Sequence, residues 1–125
     1  MKIRPATIAD WSGIKKLIKS YPEKVMQDHL PWPHEFFVAI EDKKIVGCAA
    51  LEIYSKRLAE VRSLVVDEGY QRNGVGTVLV EACVAKAKKK KIHEVLAITG
   101  SLPLFEKQGF KLFKEEKYAL IKVLS

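Results

Sequence analysis

A short glycine-bearing turn between a strand pattern and a helix pattern is the feature that most limits what this chain can fold into. The β-branched run ending at Val66 is followed by a polar turn, then by Gly74 and Gly76, and at once by an apolar helical pattern. Such a junction exposes backbone N–H groups at a helix N-terminus, where they and the helix dipole favour an anion. Glycine suits the position because a Cβ would block close approach of a phosphate and restrict φ. The turn therefore predicts a phosphate-bearing cofactor held by main chain. An ordinary strand–turn–helix, with glycines for turn geometry alone, is the alternative.

Two better-known phosphate loops do not fit these residues. The P-loop needs a lysine directly after its last glycine, and none follows Gly76. The dinucleotide fingerprint needs a third glycine where Leu79 stands. The pattern that does match is Gln71-x-x-Gly74-x-Gly76, which resembles the Q/R-x-x-G-x-G/A pyrophosphate loop of the GNAT superfamily of acyl-CoA N-acyltransferases.

The resemblance to the GNAT superfamily extends over nearly all 125 residues. Its further blocks, in chain order, are Ile3–Thr7 with Ala9-Asp10, Phe37–Ile40, Ile45–Leu51, Ala59–Val66 and Phe105–Phe110. The blocks Ala59–Leu64, Leu96–Thr99 and Phe105–Lys107 are also similar to the short, stand-alone N-acetylglutamate synthase group. The resemblance implies an α/β fold with a mixed central sheet, helices on both faces and acetyl-CoA as co-substrate.

Periodicity and turn signals predict the same alternation of elements. Strands are expected at 2–4, 36–41, 44–54, 58–66, 93–98, 110–113 and 118–123, and helices at 7–21, 74–90 and 102–108. Pro22 either ends the first helix or starts a second helical piece through Val25, Met26 and Leu30. The helices and the sheet give a mixed α/β architecture with helices on both faces.

Composition bounds the class of protein. A chain of 125 residues with 48% hydrophobic and 30% charged residues is expected to form one globular domain, 1–125. No apolar run approaches membrane-spanning length, and the N-terminus carries no secretory apolar segment, so no membrane partner and a cytoplasmic location are expected. Cys48 and Cys83 lie in apolar segments and are expected to be buried hydrophobes.

The net charge of +7 owes much to the lysines between Lys86 and Lys91. A solvated helix C-terminus, where cations offset the dipole, is the simplest interpretation. Help in holding an anionic cofactor and nucleic-acid binding are the alternatives. No aromatic residue interleaves with these lysines, so no nucleic-acid partner is predicted.

The resemblance implies which residues hold acetyl-CoA. Leu64 and Val66 would bond the pantetheine through main chain, and an N–H near Leu64 or Val65 would donate to the thioester oxygen. The predicted cofactor-binding residues are Leu64, Val65, Val66, Gln71, Arg72, Asn73, Gly74, Val75, Gly76 and Thr77.

Glu60 is the candidate general base. Some GNAT enzymes carry a base glutamate six residues before the valine that ends the fourth strand, and Glu60 has that offset from Val66. Regular alternation would place Glu60, Arg62, Leu64 and Val66 on one face of the strand. A structural ion pair between Glu60 and Arg62, or with a neighbouring strand, is the alternative.

Arg62 is the candidate for holding a substrate carboxylate in a bidentate fork, which would suit an amino-acid acceptor. An ion pair with Glu60 or Glu52 is the alternative. Thr99 is a further substrate-contact candidate at the end of the fifth strand.

One residue departs from the superfamily pattern. Many GNAT enzymes place a tyrosine that protonates the leaving thiolate where this chain has Phe105. Phe105 is expected only to pack, so either no general acid is required or another group, such as Tyr118 or water, serves.

The segment before the second strand commonly shapes the acceptor pocket in this fold. His29 and His34 lack metal-ligand spacing with other residues and are expected to be exposed, with no metal bound. Trp32 either lines the pocket or covers the core.

The function implied is transfer of acetyl from acetyl-CoA to a small-molecule primary amine. The first candidate acceptor is the α-amine of glutamate, as in the first step of arginine biosynthesis. A protein N-terminus or another small amine is the alternative of the same class, and a CoA-binding regulatory module without turnover is that of another class. A homodimer is common in the superfamily.

Overall fold

The computed structural model describes residues 1–112 and 122–124. Its strands are β1 (Lys2–Pro5), β2 (Phe36–Glu41), β3 (Lys44–Ile53), β4 (Leu58–Val66) and β5 (Glu94–Ala97), and its helices are α1 (Trp11–Lys19), α2 (Val75–Lys89) and α3 (Leu102–Glu106). The strands form one sheet in chain order, antiparallel from β1 to β4 and parallel between β4 and β5. In the part of the chain described, no helix is both long and apolar enough to cross a bilayer.

A helix covers each face of this mixed sheet. Ile14, Leu17 and Ile18, spaced three and four residues apart on α1, pack in one buried cluster with Phe36 and Val38. On the opposite face, Leu79, Val80, Cys83 and Ala87 of α2 pack in a second cluster with Ala49, Leu51 and Val61. The predicted fold class, a mixed sheet with helices on both faces, is confirmed.

The predicted element bounds are confirmed to within about two residues for β1 to β5, α2 and α3. The first predicted helix is present, but residues 8–10 form a 3-10 turn and α1 begins only at Trp11. The second helical piece after Pro22 does not form. The chain makes a single turn there, in which the Lys24 N–H donates to the Tyr21 carbonyl at 3.1 Å. The Gln27 side-chain amide donates to the Ile18 carbonyl at 2.9 Å, so the end of α1 is satisfied by a side chain rather than by more helix.

The C-terminal hairpin predicted at 110–113 and 118–123 lies mostly outside the described residues, and the assignment of 1–125 to one domain stays a prediction. Cys48 and Cys83 are both fully buried, as predicted. Burial raises the pKa of each thiol to about 12, so both remain protonated and unreactive near neutral pH.

Strand β4 contains a β-bulge at Ser63. Cys48 pairs with Val65 and Ala50 with Arg62, so one residue of β3 faces two residues of β4. Ser63 has φ 56°, a left-handed conformation that a serine adopts at a cost. The extra residue shifts the alternation of side chains by one position.

The predicted common face of Glu60, Arg62, Leu64 and Val66 is therefore wrong. Leu64 and Val66 pack with the α2-side cluster, to which Ala59 and Val61 also belong. Glu60 and Arg62 alternate with Ala59 and Val61, so they point to the α1 side. A period of two holds only for an unbroken strand, and the bulge reverses it between Arg62 and Leu64.

Strand β5 ends before strand β4 does. Their parallel pairing runs from Leu58 with Glu94 to Val61 with Ala97, the last residue of β5. Strand β4 continues to Val66, paired on its other side to Gly47 of β3. Beyond Val61, the edge of β4 on the β5 side therefore carries main-chain groups that no residue of β5 pairs with.

Asp10 fixes the start of the first helical segment. Its carboxylate accepts two bonds from the Arg4 guanidinium, at 2.7 and 3.0 Å, and one from the Thr7 N–H at 2.7 Å. These contacts, the Arg4 bond first, lower the pKa of Asp10 to about 2 despite its burial.

We expect Asp10→Asn to reduce the free energy of unfolding by about 1–2 kcal/mol at pH 7. Because the folded-state pKa of Asp10 is depressed, its contribution is present above about pH 4 and is lost as pH falls toward 2. Urea denaturation at pH 7 and pH 2.5 measures this. The gap between the wild type and Asp10→Asn should narrow at the lower pH. The exposed Asp28→Asn should show no gap at either pH.

Candidate active site

A cleft of about 460 Å³ lies beside the end of β4, beyond its pairing with β5. It is bounded by the end of β4, the turn into α2, the start of α3 and the segment after α1. Its lining residues are Tyr21, Lys24, Leu64, Val65, Val66, Gln71, Arg72, Gly74, Gly76, Thr77, Ser101, Leu104 and Lys107.

The turn from β4 to α2 is shaped as a main-chain cradle. The Gln71 side-chain amide donates to the Val66 carbonyl at 2.9 Å, which ties the turn to the strand end. Gly74 has φ 79° and precedes the first helical residue, a left-handed conformation that costs glycine little. The first amides of α2 have no acceptor within the helix, and two residues of this first turn, Gly76 and Thr77, line the cleft.

The second glycine of the turn lies close to α3. A Cβ built on Gly76 would lie 3.0 Å from the Leu104 side chain, closer than such contacts normally come, so Leu104 would have to shift by a few tenths of an ångström. Gly76 and Leu104 both line the cleft.

The lining of the cleft is cationic. Lys24, Arg72 and Lys107 contribute positive charge, and no carboxylate belongs to the described lining. Free amides at a helix N-terminus surrounded by three cations suit a pyrophosphate and a further phosphate. The residues present therefore fit the cofactor that the sequence predicts.

The structure brings together eight of the ten predicted cofactor residues. Asn73 and Val75 are the exceptions: Asn73 is exposed in the turn, and the side chain of Val75 is buried in the α2-side core. The additional lining residues, which were not predicted to hold the cofactor, are Tyr21, Lys24, Ser101, Leu104 and Lys107. Lys107 lies in the Phe105–Phe110 block of the resemblance, and the other four lie outside the quoted blocks. Only the pairing of positive charge with a phosphate site could have suggested Lys24.

Glu60 lies on the α1 side of β4, within a network of polar side chains. The Tyr54 hydroxyl donates to Glu60 Oε1 at 2.5 Å. Burial and the bond to Glu60 raise the pKa of Tyr54, so the phenol remains a proton donor across the working range. Tyr54 was not predicted, although it directly follows β3 and lies two residues beyond Glu52, a spacing that favours the same face.

Glu52 and Glu60 are directly opposite each other across β3 and β4. Two like charges at such a pair are destabilising unless each has a partner. Arg62 forms an ion pair with Glu52, and Tyr54 donates to Glu60, so each carboxylate has one. The four side chains form two neighbouring pairs, which together are called the Glu60 cluster below.

Arg62 has contacts on both sides of its guanidinium. Besides Glu52, it donates to the His29 carbonyl at 3.0 Å and lies 3.8 Å from Met26 Sδ, with its side chain 17% exposed. The ion pair with Glu52, one of the two interpretations of this residue, is present in the structure. Arg62 also attaches the segment before β2 to the sheet.

Thr99 is exposed just after β5 and lines a second cavity of about 740 Å³ along that strand, not the cleft. Its hydroxyl accepts a bond from the Ser101 N–H at 2.8 Å, which orders the turn into α3. The described geometry does not bring Thr99 into a common cavity with Glu60 or Arg62.

Phe105 packs as predicted. It is 3% exposed and meets Phe110 edge-on at 5.2 Å between ring centroids. It supplies no hydroxyl to the cleft, and Tyr118 lies outside the described residues.

The segment before β2 exposes its aromatic and imidazole side chains. Trp32 is 71% exposed, so it does not cover the core. His29 and His34 are exposed, as predicted. Among residues 1–112 and 122–124, no three His, Cys, Asp or Glu side chains are grouped as a metal site would require.

The unpaired end of β4, the glycine turn and the cationic cleft are features expected of an acyl-CoA-dependent acyltransferase. The sequence pattern of the acetyltransferase (GNAT) family matches residues 5–110, and the chain belongs to that family. It is an acetyl-CoA-dependent N-acetyltransferase.

Relatives of known sequence agree. An uncharacterized N-acetyltransferase of Chlorobaculum tepidum is 30% identical, with 93% of this chain and 79% of that protein covered. The amino-acid acetyltransferase of Mycobacterium tuberculosis is 28% identical, with 86% and 67% covered. That of Escherichia coli is also 28% identical, but the chain spans only 26% of its length.

Solved structures share the fold. The Mycobacterium tuberculosis protein Rv2747, crystallised with CoA, superposes with a TM-score of 0.83 at 26% identity, over 91% of this chain and 74% of that one. An N-acetylglutamate synthase from Neisseria gonorrhoeae, complexed with coenzyme A and N-acetyl-glutamate, gives 0.80 at 25% identity, over 94% and 30%.

Proposed function

We propose that this acetyltransferase acetylates the α-amine of an amino acid, with glutamate as the first candidate, and that Glu60 is its general base. The observation that carries the proposal is the placement of two different sites on one strand. Strand β4 has the cationic cleft beside its end and the Glu60 cluster before its bulge.

Acetyl-CoA is placed in the cleft. Its pyrophosphate would accept bonds from the turn and first α2 amides between Arg72 and Thr77, with Arg72 adding charge. Its pantetheine would run along the free side of β4, with Leu64, Val65 and Val66 offering main-chain groups. A β4 N–H near Leu64 or Val65 would donate to the thioester oxygen as negative charge develops there. The co-substrate supplies the activated acetyl carbonyl; the protein holds and polarises it.

Glu60 would remove the proton that an amine must lose to attack. Amines reach the enzyme largely as ammonium ions at neutral pH, and a carboxylate both attracts such an ion and accepts its proton, directly or through one water. The Tyr54 bond fixes one carboxylate oxygen and leaves the other to face the acceptor.

Support for an amino-acid acceptor is of two kinds. Amino-acid acetyltransferases recur among the relatives, and one structural neighbour is complexed with N-acetyl-glutamate. The Arg62 guanidinium also lies on the same face as Glu60 and keeps donors beyond those given to Glu52 and His29. A substrate carboxylate would use those remaining donors or displace Glu52. We propose Thr99 as a further contact for an acceptor that is long enough to reach the end of β5.

CoA-thiol release from acetyl-CoA, measured against glutamate, aspartate, glutamine and a peptide N-terminus, tests the acceptor. Selective release with glutamate supports the proposal. Release with another amine only keeps the acetyltransferase and removes the glutamate assignment. No release with any amine, while acetyl-CoA still binds, favours a CoA-binding regulatory module, the alternative that Phe105 in place of a tyrosine leaves open.

Replacing Arg62 with alanine separates its two roles. If Arg62 holds a substrate carboxylate, the KM for glutamate should rise about 10- to 100-fold, since a charged hydrogen bond contributes about 1.5–3 kcal/mol, while the KM for acetyl-CoA stays constant. Steady-state kinetics with glutamate and with an amine lacking a carboxylate measures this.

The carboxylate-free amine is the control for Arg62→Ala. Equal losses with both acceptors, together with a lower melting temperature, would assign Arg62 to the Glu52 ion pair alone. The variant Glu52→Gln, which frees Arg62 without removing it, should then reproduce the loss of stability.

A further inference from the structure

The Tyr21 hydroxyl joins two parts of the chain that are far apart in sequence. It donates to Asp67 Oδ1 at 2.7 Å and accepts from the Glu68 N–H at 2.8 Å. Asp67 directly follows β4, and its own N–H donates to the Val46 carbonyl at 2.8 Å. Tyr21 therefore fixes the first residues of the turn that leads to Gly74.

The same residue places a cation beside the cleft. The Tyr21 carbonyl accepts bonds from the N–H groups of Lys24 and Val25, at 3.1 and 3.3 Å, and so forms the turn after α1. The Lys24 ammonium lies 6.0 Å from the centre of the Tyr21 ring, and both side chains line the cleft.

Charge around Asp67 supports this arrangement. Lys44 Nζ lies 3.7 Å from Asp67 Oδ2, and the Tyr21 bond is the largest of the contacts that lower the pKa of Asp67. An ionised Asp67 is a strong acceptor for the phenol. The Tyr21 hydroxyl thus connects the segment after α1 to the turn before α2.

We propose that Tyr21 is a positioning residue for acetyl-CoA: its hydroxyl holds the 67–70 turn and the Lys24 segment in the arrangement that binds the cofactor phosphates. The proposal rests on the placement of acetyl-CoA in this cleft, as set out above. A cradle fixed before the cofactor arrives loses less conformational freedom on binding, so releasing it weakens affinity. The acetyl-transfer step itself lies further along β4 and does not depend on the hydroxyl.

The test is Tyr21→Phe, which removes the hydroxyl and keeps the ring. We expect the Kd for CoA by calorimetry and the KM for acetyl-CoA to rise about tenfold, with kcat at saturating acetyl-CoA within about twofold of wild type. Tyr70→Phe is the matched control. It removes a hydroxyl from the same turn for which the described residues provide no hydrogen-bond partner, and both constants should be unchanged.

Two variants of the partner residue keep the proposal testable if Tyr21→Phe folds poorly. Asp67→Ala should weaken CoA binding as much as Tyr21→Phe does, and the double variant should be no weaker than either single one, because each removes the same contact. Asp67→Asn retains an oxygen acceptor and should stay within about twofold of wild type. The proposal would be overturned if the losses of CoA affinity in the two single variants add in the double variant, or if Asp67→Asn binds CoA as weakly as Asp67→Ala does.

Arg72→Ala separates failure of this inference from failure of the cofactor placement. If Arg72→Ala weakens CoA binding and Tyr21→Phe leaves it unchanged, the cofactor lies in the cleft and Tyr21 does not position it. If neither variant changes the Kd, the cofactor binds elsewhere and both proposals are overturned. A fall in kcat at constant KM in Tyr21→Phe also contradicts a role in cofactor binding.

Discussion

Glu60→Gln is expected to lower kcat about 10²- to 10⁴-fold, the range that a general base contributes. Glutamine matches glutamate in shape, and its side-chain oxygen can still accept the Tyr54 hydroxyl that now lies 2.5 Å from Glu60 Oε1. The fold and the CoA cleft should therefore persist, and the Kd for CoA should stay within about twofold. Single-turnover acetylation with saturating acetyl-CoA measures the loss directly.

The control for Glu60→Gln is Glu81→Gln, which removes a carboxylate from the exposed side of α2. It should retain full activity. If Glu60→Gln turns over at the wild-type rate, Glu60 is not the general base, and its role is limited to the hydrogen bond with Tyr54.

Gly74→Val is expected to raise the Kd for CoA at least tenfold. Gly74 has φ 79°, and a β-branched residue in that conformation is strained by about 1–3 kcal/mol. No heavy atom lies within 4 Å of an added Cβ, so in the free protein the cost is conformational rather than steric. The strain would be relieved by a change of the turn that withdraws its amides from the phosphates.

Gly69→Ala is the matched control, because Gly69 lies in the same turn, has no positive φ, and an added Cβ there also meets no atom within 4 Å. It should bind CoA as the wild type does. Calorimetric titration of both variants with CoA makes the comparison. Equal affinities in Gly74→Val and Gly69→Ala would place the pyrophosphate away from this turn.

The order of elements could be predicted from sequence because each carries a local signal. The period-two runs of β2, β3 and β4 and the apolar stripes of α1 and α2 depend on neighbours within one or two turns. The glycine turn was recognisable for the same reason, since its conformation and its chemistry both lie within residues 71–77.

Features that depend on the register between distant segments could not be predicted. The bulge at Ser63 has no residue type to mark it, and it reversed the predicted face of Leu64 and Val66. The Tyr21–Asp67 and Tyr54–Glu60 bonds join residues whose proximity arises only when the sheet forms. Arg62 had two plausible partners in the sequence, and strand pairing selected Glu52.

The bulge at Ser63 also divides β4 into two units that can be altered independently. The bulge shifts the alternation of side chains between residues 58–62 and residues 64–66. Substitutions in one of these two parts therefore leave the side chains of the other part on the same face of the sheet. Residues 58–62 could therefore be substituted to bind a different acceptor amine while residues 64–66, which are proposed to bind acetyl-CoA, stay unchanged. Deleting one residue at the bulge would instead restore regular alternation along the whole strand. One of the two parts would then turn its side chains to the other face, and acetyl-CoA binding and acceptor binding would no longer coexist on β4.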